Sequence, residues 1–163
     1  MISAALLDEA ADLLAACRTR GWTLASAESC TGGLIVATLT AIAGSSDVVD
    51  RGFVTYSNAA KIELLGVPGE LIAAHGAISE PVVRAMAAGA LARSRATVTI
   101  AVTGITGPGG GTAEKPVGLV WFGLAQRGGV LESTHVVFPG DRTAVREAAV
   151  AHAFGMIRAR FAG

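Results

Sequence analysis

The stretch TVTIAVT at residues 97–103 constrains the fold more than any other part of the sequence. It is rich in β-branched residues and carries no charge. This composition is typical of a central strand whose two faces are both covered by other elements. We therefore expect a sheet with helices packed on both sides.

Helical and strand patterns alternate along the rest of the chain. The predicted helices cover residues 2–20, 34–44, 58–66, a short segment from Pro68, 80 to about 95, and 141 to about 160. The predicted strands cover residues 22–27, 48–56, 97–103, 117–126 and about 130–138. Interleaved elements of this kind predict an α/β fold, built as a three-layer α/β/α sandwich.

Residue types at the element ends support these boundaries. Gly21 is a typical helix stop, and Ser79 and Asp141 are typical N-cap residues. Only a few residues around Gly128 and Gly129 separate the last two strands, which predicts a hairpin. The sheet is therefore expected to be mixed, and mostly parallel. At 163 residues, the length predicts a single domain over residues 1–163.

Composition narrows the class of partners. Thirteen basic residues balance thirteen acidic ones, which argues against a nucleic-acid partner. No apolar run reaches the length of a membrane span, and the N-terminus does not resemble a secretory signal, so we expect a cytoplasmic protein. Cys17 and Cys30 lack metal-ligand spacing, so neither a metal nor another cofactor is expected. The Ala-rich, apolar helix faces predict a homodimer or higher homo-oligomer.

Three segments with unusual chemistry follow predicted strands, at residues 28–33, 56–61 and 104–112. Ligand sites in open α/β sheets lie beyond the carboxyl ends of the strands. We therefore expect these three loops to meet in one crevice.

Ser29 is the first candidate nucleophile, because it stands between a strand and the glycines that open a helix. Backbone N–H groups at such a position stabilise an oxyanion. A simple N-cap is the alternative interpretation. Cys30 is a rival nucleophile, since a helix N-terminus lowers a thiol pKa, although most free cysteines are buried apolar residues.

Lys61 is the candidate proton acceptor. It is one of two lysines among thirteen basic residues, and Tyr56 is the only tyrosine. A desolvated lysine loses its proton whereas an arginine does not, so a neutral lysine can activate a serine hydroxyl. An exposed surface lysine is the alternative. No G-x-S-x-G or S-x-x-K motif is present.

The glycine-rich stretch GITGPGGGTAEKP and Arg142 are candidate anion-binding features. Successive backbone N–H groups form anion-binding concavities, and an arginine beside a helix N-terminus favours phosphate. The glycine pattern matches neither a Walker A nor a dinucleotide-binding motif. An ordinary connecting loop and a surface ion pair are the alternatives.

Four ordered strings resemble the CinA C-terminal domain family. They are AESCTGG (27–33), TYSNAAKIELLGV (55–67), GITGPGGGTAEKPVG (104–118) and GDRTAVREAAV (140–150). The resemblance covers nearly the whole chain and departs slightly at Thr106, where alanine is expected. Enzymatic members are nicotinamide-nucleotide amidohydrolases. Longer members carry a further N-terminal domain, and this chain is similar to the stand-alone form.

The resemblance implies a three-layer α/β/α fold with a mixed sheet and specific residue roles. Ser29 resembles the family nucleophile, and Tyr56 and Lys61 resemble its proton-transfer partners. The implied substrate-binding positions are Gly107, Gly109, Gly110 and Arg142. To these we add Cys30, Thr31 and Gly32, whose backbone N–H groups are expected to stabilise the oxyanion.

The implied reaction is hydrolysis of the carboxamide of nicotinamide mononucleotide (NMN) to nicotinic acid mononucleotide and ammonia. It would pass through a serine acyl-enzyme, with Lys61 as general base and Tyr56 as a possible relay. Two alternatives stay open. One is a non-catalytic, nucleotide-binding or competence-associated regulatory domain, and the other is an amidohydrolase of another substrate.

Overall fold

The computed structural model describes residues 1–162, which form five strands and six α-helices. The helices are α1 (Ala4–Arg20), α2 (Leu34–Thr40), α3 (Asn58–Leu65), α4 (Gly69–His75), α5 (Glu80–Ala92) and α6 (Arg142–Ala159). The strands are β1 (Leu24–Glu28), β2 (Val49–Val54), β3 (Val98–Gly104), β4 (Leu119–Gln126) and β5 (Val130–Val137). Short 3₁₀ segments occupy Ser45–Asp47 and Arg160–Ala162.

The strands form one mixed sheet in the order β2-β1-β3-β4-β5. Strand β1 pairs in parallel with both β2 and β3, whereas β4 runs antiparallel to its neighbours β3 and β5. The β4–β5 hairpin turns through Gly128 and Gly129, whose φ angles of 108° and 113° favour glycine. The predicted mixed α/β sheet is confirmed. Four strands share one direction, but the pairings divide equally between parallel and antiparallel.

Helices cover both faces of the sheet, as the uncharged central strand predicts. One core layer packs α1, α2 and α6 on alternate residues of β3 and β4, including Ile100 and Phe122. The other packs α3 and α5 against small residues such as Ala101 and Ala125. A Cβ on Gly123 would lie 2.6 Å from the Val83 carbonyl oxygen, so glycine there lets α5 approach β4 closely.

Several predicted helix ends are confirmed. Gly21 ends α1 with a φ of 66°, and the Asp141 carboxylate accepts from the Ala144 N–H at 2.9 Å at the start of α6. Ser79 stands at the N-cap of α5, as predicted. Its hydroxyl makes no bond to the helix amides and donates to the Gly76 carbonyl at 2.7 Å.

Helix α2 differs most from its prediction. It ends at Thr40 rather than near residue 44, and the chain turns toward β2 at Gly44, whose φ is 82°. Only Ile35, Thr38 and Leu39 are buried, so the helix is not covered all round as its apolar composition predicts. One side of the helix packs on the sheet, and the opposite side of the helix is not covered.

The parallel strands β2, β1 and β3 are neighbours, so their carboxyl ends lie at one edge of the sheet. The loops that follow them therefore meet, as predicted. Over residues 1–162, none of the helices has both the length and the apolar character needed to span a bilayer.

Candidate active site

A cavity of about 320 Å³ lies where the three loops meet. That volume is at the lower end of the range usual for small-molecule sites. Ser29 comes from the loop after β1, Tyr56 and Lys61 from the segment after β2, and the glycine-rich loop from the end of β3. Arg142, at the start of α6, also lines the cavity.

Ser29 and Lys61 are in direct contact in this cavity. Lys61 Nζ lies 3.1 Å from Ser29 Oγ and donates to it when the amine is protonated. The two residues are 32 positions apart in the sequence, and the ends of β1 and β2 bring them together. This is the arrangement that a serine nucleophile with a lysine base requires.

The rest of the Lys61 environment consists of backbone carbonyls. Nζ also donates to the carbonyl oxygens of Thr55 at 3.0 Å and Tyr56 at 3.3 Å. Lys61 is only 1% exposed, so the alternative of a surface lysine is excluded. Burial lowers the pKa of its amine below the ordinary 10.5, and nearby Cys30 opposes this shift. A neutral amine has two N–H groups and one lone pair. When the two carbonyls accept the N–H groups, the lone pair faces Ser29.

The turn that carries Ser29 is held by main-chain bonds. Ser29 donates its N–H to the Val102 carbonyl at 2.9 Å, and Gly32 donates its N–H to the Ser29 carbonyl at 3.0 Å. Within residues 1–162, no protein acceptor takes the N–H of Cys30 or of Thr31. Of the two residues, Cys30 lines the cavity, so its amide is a backbone donor that the turn leaves free to bind an oxyanion.

Cys30 is unsuited to be the nucleophile. The side chain is only 6% exposed, and burial raises the pKa of its thiol to about 12. Since the thiolate is the reactive form, the thiol stays protonated near neutral pH. Of the two rival nucleophiles, the structure favours Ser29.

Tyr56 and Arg142 meet at the exposed side of the cavity. Tyr56 is 63% exposed, and Arg142 donates to its phenol oxygen at 3.3 Å. Only the Tyr56 backbone carbonyl reaches Lys61. Because Ser29 and Lys61 touch directly, the structure has no gap for the phenol to bridge.

The glycine-rich loop forms another part of the cavity wall. Gly107, Gly109 and Gly110 line the cavity, and Arg142 donates to the Gly107 carbonyl at 2.9 Å. Gly107 and Gly110 have φ angles of 80° and 89°, which favour glycine. The loop and the Arg142 guanidinium thus line the same space.

Two predicted binding positions, Thr31 and Gly32, do not line the cavity. Thr31 is fully buried, and its hydroxyl donates to the Glu28 carboxylate at 2.8 Å, while Gly32 is exposed. Their side of the turn faces α6, where Arg146 donates to the Thr31 carbonyl at 2.9 Å.

The sequence interpretation missed other residues of the site. Asn58 and Thr103 line the cavity; Asn58 lies within the string TYSNAAKIELLGV, and Thr103 directly precedes the string GITGPGGGTAEKPVG. Ile78 also lines it, but the segment between α4 and α5 has no pattern that predicts this. Glu28 and Arg146 support the Ser29 turn from behind. Among residues 1–162, no cluster of three His, Cys, Asp or Glu side chains suited to a metal is found.

Fold and site together define a class of protein. It is a three-layer α/β protein with a buried serine–lysine pair at the carboxyl ends of its parallel strands. A family model described as the CinA C-terminal domain matches residues 7–161. The chain therefore belongs to the CinA C-terminal domain family, as the resemblance predicts.

Known relatives agree with this membership. The nicotinamide-nucleotide amidohydrolase PncC of Enterobacter agglomerans is 56% identical over 81% of this chain and 80% of its own length. A CinA-like protein of Mycolicibacterium gilvum is 53% identical over 96% of this chain, which spans only 36% of that protein. The crystal structure of competence/damage inducible protein CihA from Agrobacterium tumefaciens is 46% identical. It has a TM-score of 0.94, with 98% of this chain and 97% of that chain covered.

Proposed function

We propose that this chain hydrolyses the carboxamide of NMN to nicotinic acid mononucleotide and ammonia. The observation that carries the proposal is the direct contact between Ser29 Oγ and the buried amine of Lys61. The amidohydrolase name of the Enterobacter agglomerans relative, 56% identical to this chain, supports the substrate. We also propose that residues 1–163 act as one catalytic domain, and a homo-oligomer stays a prediction.

In the first half-reaction, the Ser29 oxygen attacks the carboxamide carbon while neutral Lys61 accepts the hydroxyl proton. The bound carbonyl oxygen becomes an oxyanion, which the free N–H group of Cys30 stabilises. The tetrahedral intermediate then expels the amine. Lys61 returns the proton to it, so that ammonia leaves and an ester to Ser29 is formed.

In the second half-reaction, water attacks the ester carbon. Lys61 accepts a proton from the water and then returns it to the departing Ser29 oxygen, which regenerates the hydroxyl. The product is the carboxylate of nicotinic acid mononucleotide. Every proton transfer uses the Lys61 amine, and the first and the last cross its 3.1 Å contact with Ser29, so the scheme uses no second acid–base residue.

The substrate phosphate is assigned to the exposed side of the cavity. Arg142 supplies a guanidinium there, and the loop at Gly107, Gly109 and Gly110 supplies backbone N–H groups. The exposed ring of Tyr56 lies on the route between this anion site and Ser29. We propose that Tyr56 contacts the nucleotide and orients Arg142, rather than relaying the proton.

Incubation of the purified protein with NMN and measurement of ammonia and nicotinic acid mononucleotide tests this function. We expect both products in equal amounts from the wild type, and neither from Ser29→Ala. Binding of NMN by Ser29→Ala, measured by calorimetry, should persist because the phosphate contacts are intact. Full turnover by Ser29→Ala would remove Ser29 from the chemistry.

The same assay separates the other interpretations. Tight NMN binding with no product from the wild type would favour a regulatory, nucleotide-binding role. Ammonia from nicotinamide or simple amides, but not from NMN, would favour an amidohydrolase of another substrate. Loss of activity in Cys30→Ala, with Ser29 intact, would favour the thiol as nucleophile.

A further inference from the structure

Glu28 is a buried carboxylate directly before the proposed nucleophile. It is the last residue of β1 and is fully buried. One carboxylate oxygen accepts from the Thr31 hydroxyl and the Ile35 N–H, both at 2.8 Å. The other accepts from the Ser26 hydroxyl at 2.9 Å and the Val36 N–H at 3.1 Å.

This carboxylate has no cationic partner. Within residues 1–162, no lysine, arginine or histidine nitrogen lies within ion-pairing distance of it. A buried charge is costly unless hydrogen bonds satisfy it, and four neutral donors do so here. Two of these donors are the backbone amides of Ile35 and Val36, in the first turn of α2. The start of α2 is thus occupied by the protein's own carboxylate rather than by a ligand.

Glu28 also connects the segment after β1, which carries Ser29, to the segment after β2, which carries Lys61. Its backbone carbonyl accepts from the Thr55 N–H at 2.8 Å, and the Thr55 carbonyl in turn accepts from Lys61 Nζ. Its side chain holds Thr31 and the beginning of α2, which lie on either side of the glycines of the turn. A shift of the Glu28 side chain therefore moves the turn that carries Ser29.

We propose that Glu28 is a positioning residue for the acyl-transfer chemistry. Its carboxylate holds the Ser29 turn so that Ser29 Oγ stays within reach of Lys61 Nζ and Cys30 stays at the wall of the cavity. The inference rests on the serine–lysine function proposed above. It adds a residue that touches neither substrate nor reacting atoms.

Glu28→Gln tests this role with almost no change in volume. Each carboxylate oxygen accepts one hydroxyl and one backbone N–H. A hydroxyl can reverse to face an amide nitrogen, but a backbone N–H cannot accept. The glutamine must therefore lose the contact with either Ile35 or Val36, whichever way its amide is turned.

We expect Glu28→Gln to lower kcat for NMN by about 10- to 100-fold, since misplacement by about 1 Å costs up to about 100-fold. KM should change less than about threefold, because Arg142 and the glycine-rich loop are untouched. The labelling rate of Ser29 by a fluorophosphonate probe should fall with kcat. A residue that only supports folding would change neither value in the folded protein.

Leu13→Ala is the control for lost stability. Leu13 is fully buried in α1, far from the cavity, and its truncation destabilises the core. Assayed well below its melting temperature, Leu13→Ala should keep wild-type kcat and labelling rate. Wild-type kcat in folded Glu28→Gln would overturn the inference, as would an equal loss of kcat in Leu13→Ala.

Two milder variants decide the question if Glu28→Gln does not fold. Thr31→Val removes one hydroxyl donor on the turn, and Ser26→Ala removes one on β1, before the turn. We expect about a tenfold fall in kcat for Thr31→Val and a smaller one for Ser26→Ala. A fall of less than threefold in Thr31→Val would overturn the inference. Turnover by Ser29→Ala would instead overturn the underlying chemistry, which separates the two failures.

Discussion

If Ser29 and Lys61 act as one unit, their variants will not have independent effects. Lys61→Met keeps most of the side-chain volume and removes the amine, whereas Ser29→Ala removes the nucleophile. The two atoms touch at 3.1 Å with no group between them, so either change abolishes the same proton transfer. The double variant should therefore be no slower than the slower single variant.

The expected magnitudes follow from this contact. A positioned general base contributes about 10²- to 10⁴-fold, so kcat should fall about 10³-fold in Lys61→Met. Ser29→Ala should lose at least as much. Independent contributions would multiply to about 10⁶-fold or more in the double variant, whereas a single unit predicts no further loss.

Turnover by the wild type is measured as ammonia release coupled to glutamate dehydrogenase. Turnover by the slow variants is measured by chromatography of nicotinic acid mononucleotide after long incubation. Lys115→Met is the matched control, because Lys115 is the only other lysine and its Nζ donates to the His75 carbonyl outside the cavity. It should stay within about threefold of wild type, as expected of a substitution away from the site. Lys61→Met within tenfold of wild type, or a double variant with multiplied losses, would refute the paired mechanism.

Four further outcomes are expected. Because burial lowers the pKa of Lys61 and the neutral amine is the base, kcat/KM in a pH series should rise with pH and level off below pH 10.5. Between this lowered pKa and the ordinary lysine pKa, the folded chain binds fewer protons than the unfolded chain. The free energy of unfolding of the wild type, measured in urea, should therefore rise with pH over this range relative to that of Lys61→Met. Tyr56→Phe should keep kcat within about tenfold, because its hydroxyl contacts Arg142 rather than the Ser29–Lys61 pair, and a loss of about 10³-fold would restore the relay role. Arg142→Met should raise KM for NMN at least about tenfold. The KM for nicotinamide riboside, which has no phosphate, should stay nearly unchanged, and equal effects on both substrates would contradict phosphate binding by Arg142.

The fold was predictable where a local pattern has one physical solution. An uncharged, β-branched strand such as β3 must be covered on both faces, and the short connection at Gly128 and Gly129 permits only a hairpin. Gly21 and Asp141 end and begin helices through bonds to residues within a few positions. The end of helix α2 was harder to predict, because its apolar composition does not show where the chain must turn toward β2.

The contact between Ser29 and Lys61 was predictable only in outline. Both follow strands, and parallel neighbours end at the same edge of a sheet, so the two loops had to meet. The direction of each side chain was not encoded locally. Nothing in the string TYSNAAK shows that the Tyr56 phenol contacts Arg142, which lies 86 positions away. Arg146 likewise acts on the Thr31 carbonyl across 115 positions.

The orientation of the Lys61 amine depends on main chain rather than on side chains. Its two other hydrogen-bond acceptors are the carbonyls of Thr55 and Tyr56, directly after β2. A side-chain substitution at either position leaves these acceptors in place, and the Thr55 N–H is itself bound to the Glu28 carbonyl. The lone pair of a neutral amine therefore faces Ser29 because β1 and β2 pair in regular register over their carboxyl halves, from Ala25 to Glu28 on β1. In a histidine-based triad an acidic side chain orients the base, whereas here the sheet does so.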